Sequence, residues 1–409
     1  MHLIFVNRFY WPETPATGQL LTDLAESLAQ RGDDVTVIAS HSGLPENPVN
    51  ETRAGVRILR VRSTRQNHLG LAGKAVDFAT FYLGAMWQLW RVARRDSIVI
   101  AMTDPPLLGI GAWLVTRLRG ARLIHWIQDI YPELALELTG YSWLRVLRPL
   151  RNLAWRRADD CITLGTDMAG VLTSVGVEAA KAGVIPNWAP RGSAAASPED
   201  VSALRLAWGV AEKFVVAYSG NLGRVHDLEP VLAVAAALQD DPAIAFVFVG
   251  GGAQRDPLKA TAMRQGLKNV QFQPSQPRER LGATLRSIDL HLVTLLPGCE
   301  RFVFPSKLYG VASAGRPVLF IGPGHCEVAR LVVEQKLGIA RPRDDIAGLT
   351  AHIRHLAHSP AESQPFATAA ILFAAENSFE VAVERWSDRL AAVHACPATA
   401  PADTKLAAR

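Results

Sequence analysis

The sequence predicts an α/β protein of two doubly wound, Rossmann-like domains facing a central cleft. Three observations predict it. Strand-length apolar runs alternate with helix-length segments over residues 2–185, and the alternation resumes over 214–341. Between them, residues 186–200 read PNWAPRGSAAASPED, a shift to Pro, Ala and Ser that suits a linker. The 409 residues, 49% hydrophobic and 20% charged, suffice for two sizeable cores.

In the first half, strands are expected at 2–7, 34–40, 56–62, 97–101, 122–127, 159–164 and 182–185. Helices fit 17–31, 71–94, 107–118, 143–157 and 166–175. Such alternation argues a parallel sheet with helices on both faces. The second half repeats it, with strands at 214–218, 244–249, 270–273, 290–294, 318–321 and 338–341. The expected domains are 1–186 and 201–376, with a linker at 187–200, a closing helix at 377–395 and a frayed tail at 396–409. Ligands of doubly wound sheets bind outside the carboxyl ends of the strands, so candidate residues are sought there.

The net charge of +5 is mild and the basic residues cluster, so no nucleic-acid partner is expected. Cys161, Cys299, Cys326 and Cys396 show no C-x-x-C spacing, which predicts neither zinc nor a disulfide framework, and a reducing cytoplasm. The chain enters its first strand at once, so no secretory signal is expected. The apolar run at 78–90, FATFYLGAMWQLW, is shorter than the ~20 residues of a membrane span and reads as a buried or interfacial helix.

The most informative stretch is 300–321, ERFVFPSKLYGVASAGRPVLFI. Glu300 lies in a loop, Pro305 and Ser306 open a helix, and Lys307 falls in its first turn. The helix dipole disfavours a cation there. Beside free backbone N–H groups, Lys307 therefore suggests an anion site, although a loop–helix–strand unit with a solvated lysine has the same pattern. Residues 214–224, FVVAYSGNLGR, favour the first reading. A buried-type strand ends in a Gly-rich turn with Gly220 and Asn221, and Arg224 can fork onto phosphate oxygens.

SGNLGR, FVFVGGG at 246–252, ERFVFPSK and AGRPVLFIG together resemble the nucleotide-sugar half of a retaining glycosyltransferase with the GT-B fold. They are similar to the family 4 type of bacterial surface-polysaccharide biosynthesis. FYWPETPATGQLLTDLA at 9–25, TDPPLL at 103–108 and QDIYPE at 128–133 resemble the same family's first half. The chain departs from the family twice. Lys307 stands where a second Glu is frequent, and Gly220-Asn221 replaces the usual Gly-Arg.

The resemblance implies a nucleotide-sugar donor, a polyprenyl-diphosphate-linked glycan acceptor, retention of anomeric configuration, and no metal or other cofactor. It implies that Glu300 contacts donor-sugar hydroxyls, and that Gly251 and Ser306 lie on the donor side. Asp129 occupies about the place of the family's catalytic loop, where it orients acceptor or sugar; a helix-capping aspartate reads as well there. Glu133 is a weaker candidate of the same kind. On chemical grounds Arg224 and Lys307 are cations for a leaving diphosphate. Gly18, at a helix entry, offers N–H groups. Glu327 suits a ribose diol or a helix N-terminus, and Pro274 can line a base pocket through its backbone. His226 reads as structural or functional alike.

Residues 143–157, WLRVLRPLRNLAWRR, place Trp143 on an apolar arc and Arg145, Arg148 and Arg151 on much of the other. That is a membrane-surface pattern, and equally that of a domain helix packed on a sheet. With the resemblance it implies peripheral contact with an anionic membrane on the cytoplasmic face of the inner membrane. Competing functions are a nucleotide-sugar epimerase on the same architecture and a two-lobed solute-binding protein. A dehydrogenase is disfavoured, because Asn7-Arg8-Phe9 follows the first strand where G-x-G-x-x-G is needed.

Overall fold

Two sheets organise the chain. The structure, a computed structural model, describes residues 1–13, 15–41, 48–64, 70–193 and 195–396. It divides into two compact units, Met1–Pro186 with Ala382–Arg409, and Asn187–Val381. Residues 397–409, most of the expected tail, lie outside the described residues.

The first unit contains β1 (His2–Val6), α1 (Ala16–Gln30), β2 (Asp34–Ser40), β3 (Asn50–Arg53), β4 (Val56–Val61), α2 (Gly70–Val92) and β5 (Ser97–Ala101). There follow α3 (Leu108–Arg119), β6 (Arg122–Trp126), α4 (Glu133–Thr139), α5 (Arg148–Arg156), β7 (Asp160–Thr163), α6 (Thr166–Ser174) and β8 (Ala182–Val184). The sheet order is β3-β4-β2-β1-β5-β6-β7-β8, parallel except for the β3–β4 pair. Central strands such as β1, whose Leu3 to Val6 are fully buried, are apolar throughout because helices cover both faces. The seven expected strands are present. The unexpected β3, NETR, is a polar edge strand without an apolar signal.

Two helical expectations need correction. Thr17-Gly18-Gln19 does not precede its helix: α1 starts at Ala16, directly after Pro15. The segment 143–157 is not one helix. A 3-10 turn at Ser142–Leu147 is followed by α5, with Pro149 in its first turn. Proline lacks the N–H that would continue the earlier turn and suits the start of a new helix.

The second unit contains α7 (Pro198–Ala207), β9 (Phe214–Ser219), α8 (Glu229–Ala237), β10 (Ile244–Val249), α9 (Arg255–Arg264), β11 (Val270–Gln273), α10 (Leu281–Arg286) and β12 (Leu290–Thr294). It continues with α11 (Lys307–Ser313), β13 (Val318–Ile321), α12 (Glu327–Glu334), β14 (Gly338–Arg341), α13 (Ile346–His358) and α14 (Gln364–Glu376). The order β11-β10-β9-β12-β13-β14 is all parallel; in order of appearance it is 3-2-1-4-5-6. Tyr218, Phe246, Phe248 and Leu292 fill one face of this sheet, and Val215, Ala217 and Val247 the other.

The stretch 187–200, expected as a linker, packs into this unit. Trp188 is buried against Phe379, Ser193 Oγ lies 2.8 Å from Ser313 Oγ, and Ser197 caps α7. Its composition signals irregular backbone, while Trp188 carries the apolar surface that fixes it.

The final helix α15 (Phe379–Ala395) joins the first unit from Ala382 onward. There Trp386 meets Trp126 edge-on at 4.8 Å, and Arg389 binds the buried Asp160. The helical run Pro360–Ala395 is long and apolar enough to cross a membrane by length and composition. The run is two helices, α14 and α15; Phe373 of the first stacks on Tyr309 and Trp386 of the second meets Trp126 edge-on.

Candidate active site

In the second unit strand order reverses between β9 and β12, the switch point at which doubly wound sheets bind ligands. The turn after β9 crosses it. Gly220 has φ +127°, open to glycine alone among common residues, and its carbonyl lies where a Cβ on Gly250 would sit 2.1 Å away. The β9 and β10 loops therefore touch. Gly250 and Gly252 carry that close approach, whereas Gly251 is unconstrained and uses its carbonyl to accept the Leu222 N–H at 2.7 Å. Pro274 is exposed at the end of β11, with Ser275 beside Gly251.

Lys307 opens α11 but its side chain turns inward. Its Nζ sits 3.2 Å from the Tyr218 ring centroid, beneath Gly220, and is buried with no hydrogen-bond partner. Burial pushes the Lys307 pKa well below the ordinary lysine value. The solvated lysine of the bland reading is thereby corrected. Tyr218 donates its hydroxyl to the Asn221 carbonyl at 2.8 Å and packs edge-on against His226. His226 reaches the Thr294 carbonyl at 2.8 Å. Desolvation, then the nearby Lys307, holds His226 down at about 3, so it bridges the β9 and β12 ends as a neutral ring. Tyr218 was not singled out in the sequence, since it reads as a core strand residue.

Ser306 is held by Asn187, whose Nδ2 donates to Ser306 Oγ at 2.7 Å. Glu300 accepts the Gly298 N–H at 2.6 Å and meets His325 Nε2 at 3.3 Å, which ties the β12 and β13 loops together. Glu327 begins α12 two residues beyond His325. Arg224 is exposed beside the turn, without an ion pair among the described residues. Gly220, Asn221, Gly251, Ser306, Lys307 and Glu300 thus share one strand edge.

The first unit carries a different site at its own reversal, between β1 and β5. Arg8 donates its N–H to the Asp104 carbonyl at 2.8 Å, and Thr103 Oγ1 accepts the N–H groups of Gln128 and Asp129, each at 3.2 Å. Asp104 and Asp129 interact. Burial, only partly offset by Arg8, raises Asp104 to about 6; burial and then the Asp104 charge raise Asp129 to about 7. Below them, a cavity of about 20 Å³, room for one water, is lined by Asp129, Tyr131 and His125. His125 Nε2 is buried without a partner, and desolvation lowers that ring to about 4. Asp104 was missed as a site residue. TDPP and QDIYP follow consecutive strands, which was the available signal.

Three other sequence readings change. The Gly18 N–H bonds the Pro15 carbonyl at 3.0 Å, so it is not a free donor; a Cβ there would lie 3.0 Å from Phe9 Cβ, and close packing accounts for the glycine. Arg151 is buried, bidentate to Glu133 at 2.7 and 3.0 Å, and Arg148 meets the same carboxylate at 3.1 Å. Arg151 is thereby withdrawn from a membrane and Arg148, partly exposed, shares its acid, because α4 brings in a carboxylate that the helical wheel could not show. Glu133 is occupied likewise and is not a free catalytic acid. Trp143 and Arg145 remain exposed. Among the described residues no three His, Cys, Asp or Glu side chains gather as a metal site would require.

A 3-2-1-4-5-6 sheet whose glycine turn covers a buried lysine amine without a hydrogen-bond partner is the ligand-side architecture of a doubly wound α/β enzyme. Comparison makes the class specific. Residues 17–188 match the Glycosyl transferase 4-like domain and residues 206–372 match Glycosyl transferases group 1. The chain belongs to the GT-B glycosyltransferases of the family 4 type, found in polysaccharide biosynthesis.

It is 28% identical over 355 residues to the putative colanic acid biosynthesis glycosyl transferase WcaI of Escherichia coli (strain K12), covering 81% of this chain and 86% of that protein. It is 24% identical over 356 residues to the probable glycosyltransferase WbjE of Pseudomonas aeruginosa, covering 85% and 87%. Anabaena Alr3699/HepE, solved in complex with UDP-glucose, superposes with a TM-score of 0.74 at 18% identity, covering 96% of this chain and 100% of that one.

Proposed function

We propose that this glycosyltransferase moves a hexosyl group from a nucleoside-diphosphate sugar to a polyprenyl-diphosphate-linked glycan, with retention of configuration. The bond from the anomeric carbon to the diphosphate breaks, and negative charge collects on the leaving oxygen. Lys307, from beneath the Gly220 turn, and Arg224, from its rim, neutralise that charge. The acceptor hydroxyl bonds the same face of the sugar, and its proton passes to the departing phosphate. Glu300 accepts hydrogen bonds from sugar hydroxyls, Glu327 from the ribose diol, and the backbone at Pro274 borders the base. The protein's own cations are assigned the role a metal ion plays elsewhere.

In the first unit the Asp104–Asp129 pair is assigned to the acceptor hydroxyl. The enzyme works in the cytoplasm, peripherally on the inner membrane.

The observation that carries this reading is the Lys307 amine, buried against Tyr218 without a hydrogen-bond partner beneath a glycine turn. A desolvated amine is costly unless an anion completes it. Thermal shift against UDP, GDP, dTDP and ADP should reveal one stabilising nucleotide, UDP being tried first because of the HepE complex. Product analysis with radiolabelled sugar donors should then show transfer to the lipid-linked fraction. Free epimerised nucleotide sugar would replace this reading with an epimerase, and no binding by any nucleotide would end it.

A further inference from the structure

The first unit exposes an apolar face that a water-facing helix has no reason to carry. Helix α2 carries large apolar residues on its outward side as well as on its buried one. Phe81, Ala85 and Leu89 are buried in the unit. Gly84 lies so close to β4 that a Cβ would meet Val61 Cγ1 at 2.1 Å, and Met86 presses on α3 at Gly111. That fixes which side faces out. Val76, Leu83, Trp87 and Trp90 fall within an arc of about 60° on the opposite side. Leu114 and Leu118 follow on α3, which packs beside α2. These six side chains are 41–75% exposed.

The charges around this face are mostly basic. Arg91 and Arg117 are exposed, Arg91 lies over the Trp87 ring at 6.0 Å, and Arg119 lies over Trp90 at 5.3 Å. Arg94 and Arg95 follow α2, with Asp96 as the neighbouring exposed acid. The acid within α2, Asp77, is buried and bonded to Thr64; α3 contains none. Beside Trp87 is a cavity of about 310 Å³ lined by Arg60, Arg62 and Gln88. Arg60 there keeps Nε and Nη1 buried and unpartnered, although Nη2 binds Glu51 and the Trp11 carbonyl. Tryptophan at an apolar border with arginine beside it matches the boundary between acyl chains and phosphate headgroups.

We infer that the α2–α3 face docks on an anionic phospholipid bilayer, with Leu83, Trp87 and Trp90 inserted and a headgroup phosphate in the Arg60–Arg62 cavity. The basic charge complements the anionic lipid, and the Trp-Arg border suits the interface rather than a protein core. This deepens the lipid-linked acceptor reading and rests on it for its purpose, but not for its test.

The test floats the full chain with vesicles of phosphatidylglycerol and phosphatidylcholine, without any acceptor. The wild type should float at low salt, less with phosphatidylcholine alone, and less as salt rises. Leu83→Glu with Trp87→Glu and Trp90→Glu should cut partition by at least about tenfold. Arg62→Gln with Arg117→Gln should cut it about fivefold per arginine. Trp143→Glu with Val146→Glu, on a separate exposed patch, should do less. Because the altered residues are exposed, melting temperature should hold, and the milder Trp87→Ser with Trp90→Ser serves if the glutamates disturb folding.

Absence of flotation at low salt would overturn the inference, as would flotation indifferent to the α2 variants. A dimer seen by light scattering and broken by those variants would assign the face to a second copy of the chain instead. Nucleotide binding measured on the same preparation reads the second unit independently, so failure of docking and failure of the donor assignment remain distinct.

Discussion

The two units share one architecture and put opposite chemistry at the same place in it. Both sheets are parallel, apart from the edge pair β3–β4, both reverse order beside their first strand, and both keep their candidate residues on loops there. In the second unit the switch point holds a buried amine under a glycine turn; in the first it holds two interacting carboxylates whose pKa values are raised. The sheet supplies only the location, and the sign of the site is set by a few loop residues. One consequence is that a charge has two fates in this protein. Where a carboxylate is present, as for Arg151 on Glu133, it is structural; where only an aromatic face is present, as for Lys307 on Tyr218, it is assigned a ligand.

That contrast can be broken by substitution, and the largest effect is expected at Arg151. Arg151→Ala leaves Glu133 buried with its main partner gone and should lower stability by about 3–5 kcal/mol. Arg145→Ala, on the exposed turn, should change it by less than about 0.5 kcal/mol. Urea unfolding compares the two, and equal small effects would refute the structural role.

Lys307→Ala should behave the opposite way, keeping the fold but weakening nucleoside diphosphate binding by roughly 1.5–3 kcal/mol. Since the Lys307 pKa is lowered, binding an anion should draw a proton onto it, and affinity should fall as pH rises. Calorimetry in two buffers of different ionisation enthalpy counts that proton. Unchanged affinity with no proton uptake would return Lys307 to a packing role.

The acid pair makes a pH-dependent prediction. Asp129, raised to about 7, holds its proton in the folded chain over a range where the unfolded chain has lost it. The folded state then binds more protons, so stability falls as pH rises between about 4 and 7. Asp129→Asn should remove that fall, gaining up to about 4 kcal/mol on wild type between pH 4 and pH 8. Parallel stability curves for the two proteins would show that Asp129 ionises normally. The same variant should slow sugar transfer.

The mildest expectation concerns Glu300. Glu300→Gln should slow transfer roughly tenfold while nucleotide affinity stays within about twofold, because the proposed contact is to the sugar. Normal transfer would remove Glu300 from the reaction.

Much of this was legible in the sequence, and what was not has a common cause. Parallel strands covered on both faces are apolar runs, so β1 and β9 can be read directly, whereas β3 pairs through its backbone and shows only polar letters. The glycines and basic residues after β9 and β12 mark the donor loops. Their orientation was hidden, because the Lys307 side chain is placed by Tyr218, a residue distant in the chain. Asp104 and Asp129 become a pair only once β5 and β6 are neighbours. The arginines of 143–157 looked free because Glu133 sits on a short helix with no clear periodic signal.

The return of the chain to its first unit bears on the order of synthesis. Asn187–Val381 is complete once its last residue has left the ribosome. The first unit, although translated earlier, lacks Trp386 against Trp126 and Arg389 against Asp160 until the C-terminal helix emerges. Domains ordinarily mature in the order in which they are made. Here the unit that starts first is completed after the other, and Asp160 and Trp126 go without these partners until Trp386 and Arg389 have been made.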